Sequence, residues 1–215
     1  GILSFFKNKS IGFLMSRELK YLKNNLDYKK LTIIIGGAKI SSKLKMIKYF
    51  IDNCDNIIIG GAMAFTFFKA MGYAIGHSLC EEDKCDLALQ LLEKAKSLQK
   101  RILLPRDVVV AKSLDQEADI TIVSAQNIPD GTMGLDVGPE TLSDIKAVIQ
   151  DAKTIIWNGP LGVSEIPAFS TGTQAIASAV IDQTDDGAIS IIGGGDTALD
   201  WAIELSKFAE ITLVH

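Results

Sequence analysis

The sequence predicts a three-layer α/β fold, a doubly wound parallel sheet with helices on both faces, and three observations predict it. Short β-branched apolar runs recur along the chain, at Leu31-Thr32-Ile33-Ile34-Ile35, Ile57-Ile58-Ile59, Thr154-Ile155-Ile156-Trp157 and Ile189-Ser190-Ile191-Ile192. Such unbroken apolarity belongs to strands covered on both faces. Each run ends in glycine or Asn-Gly: Gly36-Gly37, Gly60-Gly61, Asn158-Gly159 and Gly193-Gly194-Gly195. Most of these loops then pass into a segment of helical periodicity. The expected arrangement is Rossmann-like, and its loops share the rim at the carboxyl ends of the strands, where such sheets bind ligands.

Taken in order, residues 11–26 place Phe13, Leu14, Leu19, Leu22 and Leu26 near one helical face, an amphipathic opening helix that is either a lid on this domain or, the favoured expectation, a connection to something upstream. The first strand follows, then Gly36-Gly37-Ala38-Lys39 and a helix from about Ser41 carrying Leu44, Ile47, Phe50 and Ile51. Lys39 and Lys43 stand four apart at its start, so both amines can reach one anion. Ile57-Ile58-Ile59, Gly60-Gly61-Ala62 and a helix with Met63, Phe67, Phe68 and Met71 repeat the unit. After the turn-rich stretch holding Gly72, Gly76 and His77, a long amphipathic helix is expected over 81–100. His77 has no carboxylate or second histidine beside it and reads as structural.

Ile102-Leu103-Leu104 and Ile120-Thr121-Ile122-Val123 read as further strands of the sheet, with Val108-Val109-Val110 a short edge strand between them. Ile128-Pro129-Asp130-Gly131 is a turn, and Met133 to Pro139 reads as a glycine-spaced loop. Thr141 and Asp144 have the spacing to cap the helix that follows. The strand at 154–157 leads into Asn158-Gly159-Pro160-Leu161-Gly162, which ends at Glu165, and a helix around 174–181 returns the chain to Ile189. Ile211-Thr212-Leu213-Val214 starts a last strand.

The run Gly193-Gly194-Gly195-Asp196-Thr197 carries the most chemistry. Glycine lets a ligand approach the backbone, and the free N–H groups of a helix start receive anions. A carboxylate there would repel a phosphate unless a divalent cation lies between them, so Asp196 points to a magnesium-bound polyphosphate. The alternative is that the glycines only turn the chain and Asp196 caps the helix. Gly193 to Ala198 also satisfies G-x-G-x-x-A, the loose dinucleotide fingerprint, but on a late strand rather than the first. The Walker pattern does not occur.

Composition bounds the rest. The 215 residues, 47% hydrophobic and 22% charged, suit one α/β domain with a full core. With 22 basic against 26 acidic residues the formal charge is -4, which offers no field for nucleic acid or anionic lipid. Cys54, Cys80 and Cys85 form no C-x-x-C pair; they read as small buried apolar residues in a reducing cytoplasm, without a disulfide framework or zinc site. No apolar run is long enough to span a bilayer and no charged-then-apolar leader opens the sequence, so a cytoplasmic protein is expected.

Five motifs, in this order and at these distances, resemble the C-terminal lobe of the phosphoglycerate kinase family: Gly36-Gly37-Ala38-Lys39-Ile40-Ser41, Leu104-Pro105 with Asp107, Met133-Gly134-Leu135-Asp136, Trp157-Asn158-Gly159-Pro160-Leu161-Gly162-Val163, and Gly193-Gly194-Gly195-Asp196-Thr197. Gly12-Phe13-Leu14-Met15 resembles the helix that joins the two lobes, so the resemblance spans essentially the whole chain. It implies transfer of a phosphoryl group between 1,3-bisphosphoglycerate and Mg-ADP in glycolysis, with residues 1–215 as the nucleotide-binding lobe, ADP or ATP as substrate and Mg2+ as cofactor. By resemblance, Gly60, Gly61, Leu79 and Leu135 form the adenine slot, Pro160 and Val163 line the nucleoside cleft, and Glu165 takes the ribose hydroxyls. Gly37, Ala38, Lys39, Lys43, Asn158 and Gly159 belong to the nucleotide site, with the two lysines and Asn158 on phosphates. Gly193, Gly194, Gly195, Asp196 and Thr197 form the phosphate and magnesium site, with Asp196 as metal ligand and Lys39, Gly194 and Gly195 as the catalytic groups.

The departures are specific. The lobe that binds 3-phosphoglycerate, and a Thr-Gly-Gly-Gly loop expected shortly after His215, have no counterpart in these 215 residues, so a monomeric lobe without turnover of its own is expected. Ser42 stands where the family usually has aspartate, Thr132 where tryptophan is common and Ser164 where an aromatic is common. Two other readings stay open: a dinucleotide-dependent oxidoreductase domain, resting on G-x-G-x-x-A alone, and a non-catalytic nucleotide-binding module.

Overall fold

The computed structural model describes residues 30–193 and 212–214. The expected opening helix over 11–26, the loop residues Gly194, Gly195, Asp196 and Thr197, and the helical pattern after them lie outside the described residues.

In chain order the elements are β1 (Leu31–Ile35), α1 (Ile40–Asn53), β2 (Asn56–Ile59), α2 (Met63–Ala70), β3 (Ala74–Ile75), a 3-10 turn (Glu82–Lys84), α3 (Cys85–Ser97), β4 (Arg101–Leu103), β5 (Asp107–Ala111), β6 (Thr121–Ser124), β7 (Asn127–Ile128), β8 (Met133–Val137), α4 (Pro139–Gln150), β9 (Thr154–Asn158), a 3-10 turn (Pro167–Phe169), α5 (Thr171–Asp185), β10 (Ile189–Gly193) and β11 (Thr212–Val214). Six strands form the main sheet in the order β11-β10-β9-β1-β2-β4, and every pair in it is parallel.

Alternation along each strand assigns its side chains to two cores. Leu31, Ile33 and Ile35 of β1, with Ile57 and Ile59 of β2, face Ile40, Ile47 and Ile51 of α1 and the apolar residues of α2 and α3. Ile34, Ile58, Ile155, Trp157 and Ile192 face Ile145, Val148 and Ile149 of α4 and Ile176, Ala177 and Val180 of α5. All five residues of β1 are buried. Burial of each isoleucine contributes roughly 1.5 to 3 kcal/mol, and it is this two-sided demand that makes the strand apolar throughout. The fold is therefore the expected doubly wound, three-layer α/β sheet.

Five expectations give way in the middle of the chain. Residues 133–137 form a strand, β8, rather than a loop, and 108–110 lie in the centre of a second sheet rather than at the edge of the first. That sheet, β6-β5-β8, is antiparallel and takes in Thr121–Ser124, so the strand near 120 leaves the parallel sheet as well. The long helix expected over 81–100 is divided into the 3-10 turn and α3, which ends at Ser97. The cap expected from Thr141 is supplied from outside the helix: the Asp107 carboxylate on β5 accepts the amides of Glu140 at 3.0 Å and Thr141 at 2.8 Å. Pro139 occupies the first turn of α4, where it needs no partner for its nitrogen.

Candidate functional site

The direction of strand addition reverses beside β1: the chain runs outward through β2 and β4 on one side, then through β9, β10 and β11 on the other. A crevice opens at such a switch point, outside the carboxyl ends of the two flanking strands. Here the loops after β1 and β9 are tied together, with the Gly36 amide donating to Asn158 O at 2.9 Å and the Gly37 amide to Pro160 O at 3.0 Å. A third loop joins them, since the Gly61 amide donates to Leu161 O at 2.9 Å and Gly37 O accepts from Met63 N at 3.0 Å. Backbone meets backbone here, so side chains have no room. A Cβ on Gly36 would stand 1.9 Å from Pro160 O, and one on Gly61, whose φ is +65°, 2.5 Å from Gly37 N.

Above these loops lies a cleft of about 550 Å³, inside the roughly 300–1,000 Å³ usual for small-molecule sites. Of the residues singled out in the sequence, Gly37, Ala38, Gly61, Leu79, Leu135, Pro160, Val163 and Glu165 line it. Leu79, 68% exposed, stands at the rim, whereas Leu135 is buried on β8. The antiparallel sheet and its surroundings supply walls that sequence reasoning missed: Phe65, Val108, Leu114, Met133 and Asp136. His77, read as structural, also lines the cleft.

Beside the Gly37 loop, outside the residues that line the cleft, the chemistry turns polar. Parallel register sets Asn158 beside Ile35 of β1 and Gly193 of β10. Asn158 Nδ2 donates to Gly193 O at 3.0 Å, and Lys43, from the second turn of α1, donates to Asn158 Oδ1. Partial burial holds the Lys43 amine below the usual lysine range. An ammonium that has lost part of its hydration gains most from an arriving anion. Lys39 is exposed at the N-cap of α1, and neither it nor Lys43, Asn158, Gly60 or Gly159 is among the residues lining the cleft. Gly60 is buried, its amide bonded to Ile35 O at 2.9 Å, and Gly159 adopts φ +86° in the interlocked loops.

Asp136 is the buried charge of the site, 4% exposed. Its carboxylate accepts Val137 N at 2.9 Å and Gly172 N at 2.7 Å. Burial nonetheless pushes its pKa up to about 6, against the opposing pull of those two amides. The three departures from the family pattern have separate consequences. Ser42 Oγ donates to Lys39 O at 2.8 Å and Thr132 Oγ1 to Pro129 O at 2.7 Å, while the buried Ser164 hydroxyl finds no partner among the described residues.

Among the described residues no group of three His, Cys, Asp or Glu side chains could hold a metal, and no helix is long and apolar enough to cross a membrane. Fold and cleft together define a doubly wound α/β domain with a small-molecule site at the switch point of its parallel sheet. Comparison gives the family: the phosphoglycerate kinase model matches residues 1–212. The chain is 50% identical over 200 residues to a phosphoglycerate kinase of Prosthecochloris aestuarii, covering 92% of this chain and 50% of the relative. It is 47% identical over 214 residues to the chloroplastic phosphoglycerate kinase of Volvox carteri, covering 98% and 46%. The solved phosphoglycerate kinase of Coxiella burnetii superposes with a TM-score of 0.86 at 39% identity, over 94% of this chain and 52% of that one. The chain belongs to the phosphoglycerate kinase family and spans about half the length of the curated relatives it matches. That membership does not favour the dinucleotide-dependent oxidoreductase reading of G-x-G-x-x-A.

Proposed function

We propose that these residues are the nucleotide-binding half of a phosphoglycerate kinase, holding Mg-ADP or Mg-ATP while the half of the relatives that this chain does not span holds 3-phosphoglycerate or 1,3-bisphosphoglycerate. The observation that carries the reading is the cleft at the switch point, apolar along most of its walls, with Lys43 bonded to Asn158 just outside its lining, the lysine Cε 3.9 Å from where a Cβ of the cleft-lining Gly37 would stand. Gly60, Gly61, Leu79 and Leu135 take the adenine, Pro160 and Val163 the nucleoside, and Glu165, exposed at the cleft wall, the ribose hydroxyls. Gly37, Ala38 and Gly159 shape the floor. Lys39, Lys43 and Asn158 take the phosphates.

The described residues fit that polyphosphate at its donor end: one partly desolvated ammonium and one amide, with no carboxylate cluster to repel it. Magnesium bound with the nucleotide would neutralise phosphate charge; Asp196 would be its ligand from this chain, and Gly193, Gly194, Gly195 and Thr197 would hold the phosphates. Phosphoryl transfer asks the protein mainly for positioning and charge stabilisation, so Lys39 and the Gly194 and Gly195 amides suffice as catalytic groups on this side. No nucleophilic side chain is required. Holding donor and acceptor in line can supply up to roughly 7 to 11 kcal/mol of the barrier, which residues 1–215 alone do not achieve.

Mixing this chain with a separately prepared phosphoglycerate-binding lobe tests the division of labour, with ATP formation from 1,3-bisphosphoglycerate and ADP as the readout. The pair should turn over, the chain alone should not, and an Asp196→Asn pair should stay inactive. Full activity of the chain alone would sink the proposal.

A further inference from the structure

Cys80 and Cys85 bracket the segment Glu81-Glu82-Asp83-Lys84, and the 3-10 turn Glu82–Lys84 doubles the chain back so that the Cys85 thiol and the Glu81 amide next to Cys80 both meet Thr66 of α2. Thr66 is 1% exposed and serves both. Its carbonyl accepts from the Cys85 thiol at 3.8 Å, and its hydroxyl accepts the Glu81 amide at 3.1 Å. Burial holds the Cys80 thiol above the usual thiol range, with the neighbouring Thr66 hydroxyl lowering it and the Cys85 thiol raising it further. Both cysteines are partly exposed, whereas Cys54 is 1% exposed among core residues, where burial pushes its thiol up to about 12. Cys54 is thus closed off from solvent, whereas Cys80 and Cys85 flank one 3-10 turn and are both partly exposed.

We propose that Cys80 and Cys85 are a redox-active dithiol that closes to an intrachain disulfide by exchange with a low-molecular-weight disulfide. One protein thiolate attacks the S–S bond of that oxidant, forming a mixed disulfide and releasing the first small thiol. The second cysteine attacks the mixed disulfide at the protein sulfur, forming the Cys80–Cys85 bond and releasing the second small thiol. Two electrons pass from the cysteine pair to the oxidant, and the two protein protons leave with the two released thiols. In a reducing compartment the pair stays reduced and closes only when the thiol pool is oxidised.

Position gives the bond its consequence. Leu79, next to Cys80, lines the cleft, and Glu81 on its other side accepts the Ser41 amide at 3.0 Å and the Ser41 hydroxyl at 2.5 Å in the first turn of α1. Closure draws Cys80 off Thr66 and carries both neighbours with it. The acidic residues Glu81, Glu82 and Asp83 repel a carboxylate-bearing oxidant, so the probe of choice is the uncharged bis(2-hydroxyethyl) disulfide.

The wild-type chain is incubated with this probe, quenched with acid and analysed by peptide mass spectrometry, a readout independent of nucleotide binding. Expected are loss of the two partly exposed thiols, a link between the Cys80 and Cys85 peptides without retained mercaptoethanol, and full reversal by dithiothreitol. Cys80→Ser should instead trap one mercaptoethanol on Cys85. Wild type that accumulates mercaptoethanol adducts without the internal link, that cross-links between chains, or that keeps both thiols free would overturn the proposal.

Discussion

The backbone amide of Gly172 donates to the Asp136 carboxylate at 2.7 Å, joining the start of α5 to strand β8. A Cβ on Gly172 would stand 2.4 Å from Asp136 Oδ1, so the approach itself requires glycine. The carboxylate thereby ties α5 to a strand that walls the cleft, at the cost of a charge kept largely from water.

That cost depends on pH. The Asp136 carboxyl titrates near 3.8 when free and near about 6 in the fold. The native state therefore binds the proton more tightly, and the resulting stabilisation is complete below pH 3.8 and lost as pH rises through about 6. Asp136→Asn lacks this dependence. Between acid and neutral pH the unfolding free energy of wild type, relative to the variant, should fall by on the order of 2 to 3 kcal/mol. Urea melts across that range read it directly, and a constant difference would contradict the role of the buried charge.

Asp107 ends another arrangement of the same kind, its carboxylate receiving two amides of α4 and the Thr141 hydroxyl at 2.6 Å. Asp107→Ala leaves these buried donors unmatched and should cost about 1 to 3 kcal/mol. The denaturation midpoint should drop while the slope with urea stays constant; an unchanged midpoint would show the cap to be dispensable.

Lys43→Met keeps the length of the side chain and removes its charge. Mg-ADP affinity should fall by about 1.5 to 3 kcal/mol, the range for a hydrogen bond to a charged group, while adenosine affinity should not change. Equal losses for both ligands would place Lys43 away from the phosphates.

Glu165→Ala should weaken nucleotide binding by on the order of 1 to 3 kcal/mol through the ribose hydroxyls. A 2′,3′-dideoxy nucleotide should bind wild type and variant alike. A variant that still discriminates ribose from dideoxyribose would remove Glu165 from this role.

The parallel sheet was legible because its strands are buried on both faces, a demand that writes itself locally as Ile33-Ile34-Ile35 or Ile57-Ile58-Ile59. The antiparallel strand β8 was not, since Gly134 and Asp136 are residues that strands disfavour. Their reasons lie far off in sequence: the Phe65 ring occupies the place of a Gly134 Cβ, 2.2 Å from it, and Asp136 answers Gly172. Thr121–Ser124, an edge strand with three of its four residues exposed, likewise carries no mark of the sheet it joins. The glycine loops announced the rim of the cleft, but its walls, Phe65, Val108 and Met133, look in the sequence like ordinary core. Nor could the spacing of Cys80 and Cys85 reveal that a turn brings them together on Thr66.

Calorimetric titration of Mg-ADP into the chain, with 3-phosphoglycerate titrated in parallel, addresses the nucleotide-binding claim most directly. Saturable one-to-one binding of Mg-ADP, weakened when magnesium is withheld, with no heat from 3-phosphoglycerate, is the result expected of a cleft whose glycine loops and Lys43 serve a polyphosphate. Tight binding of 3-phosphoglycerate with no binding of Mg-ADP would contradict it.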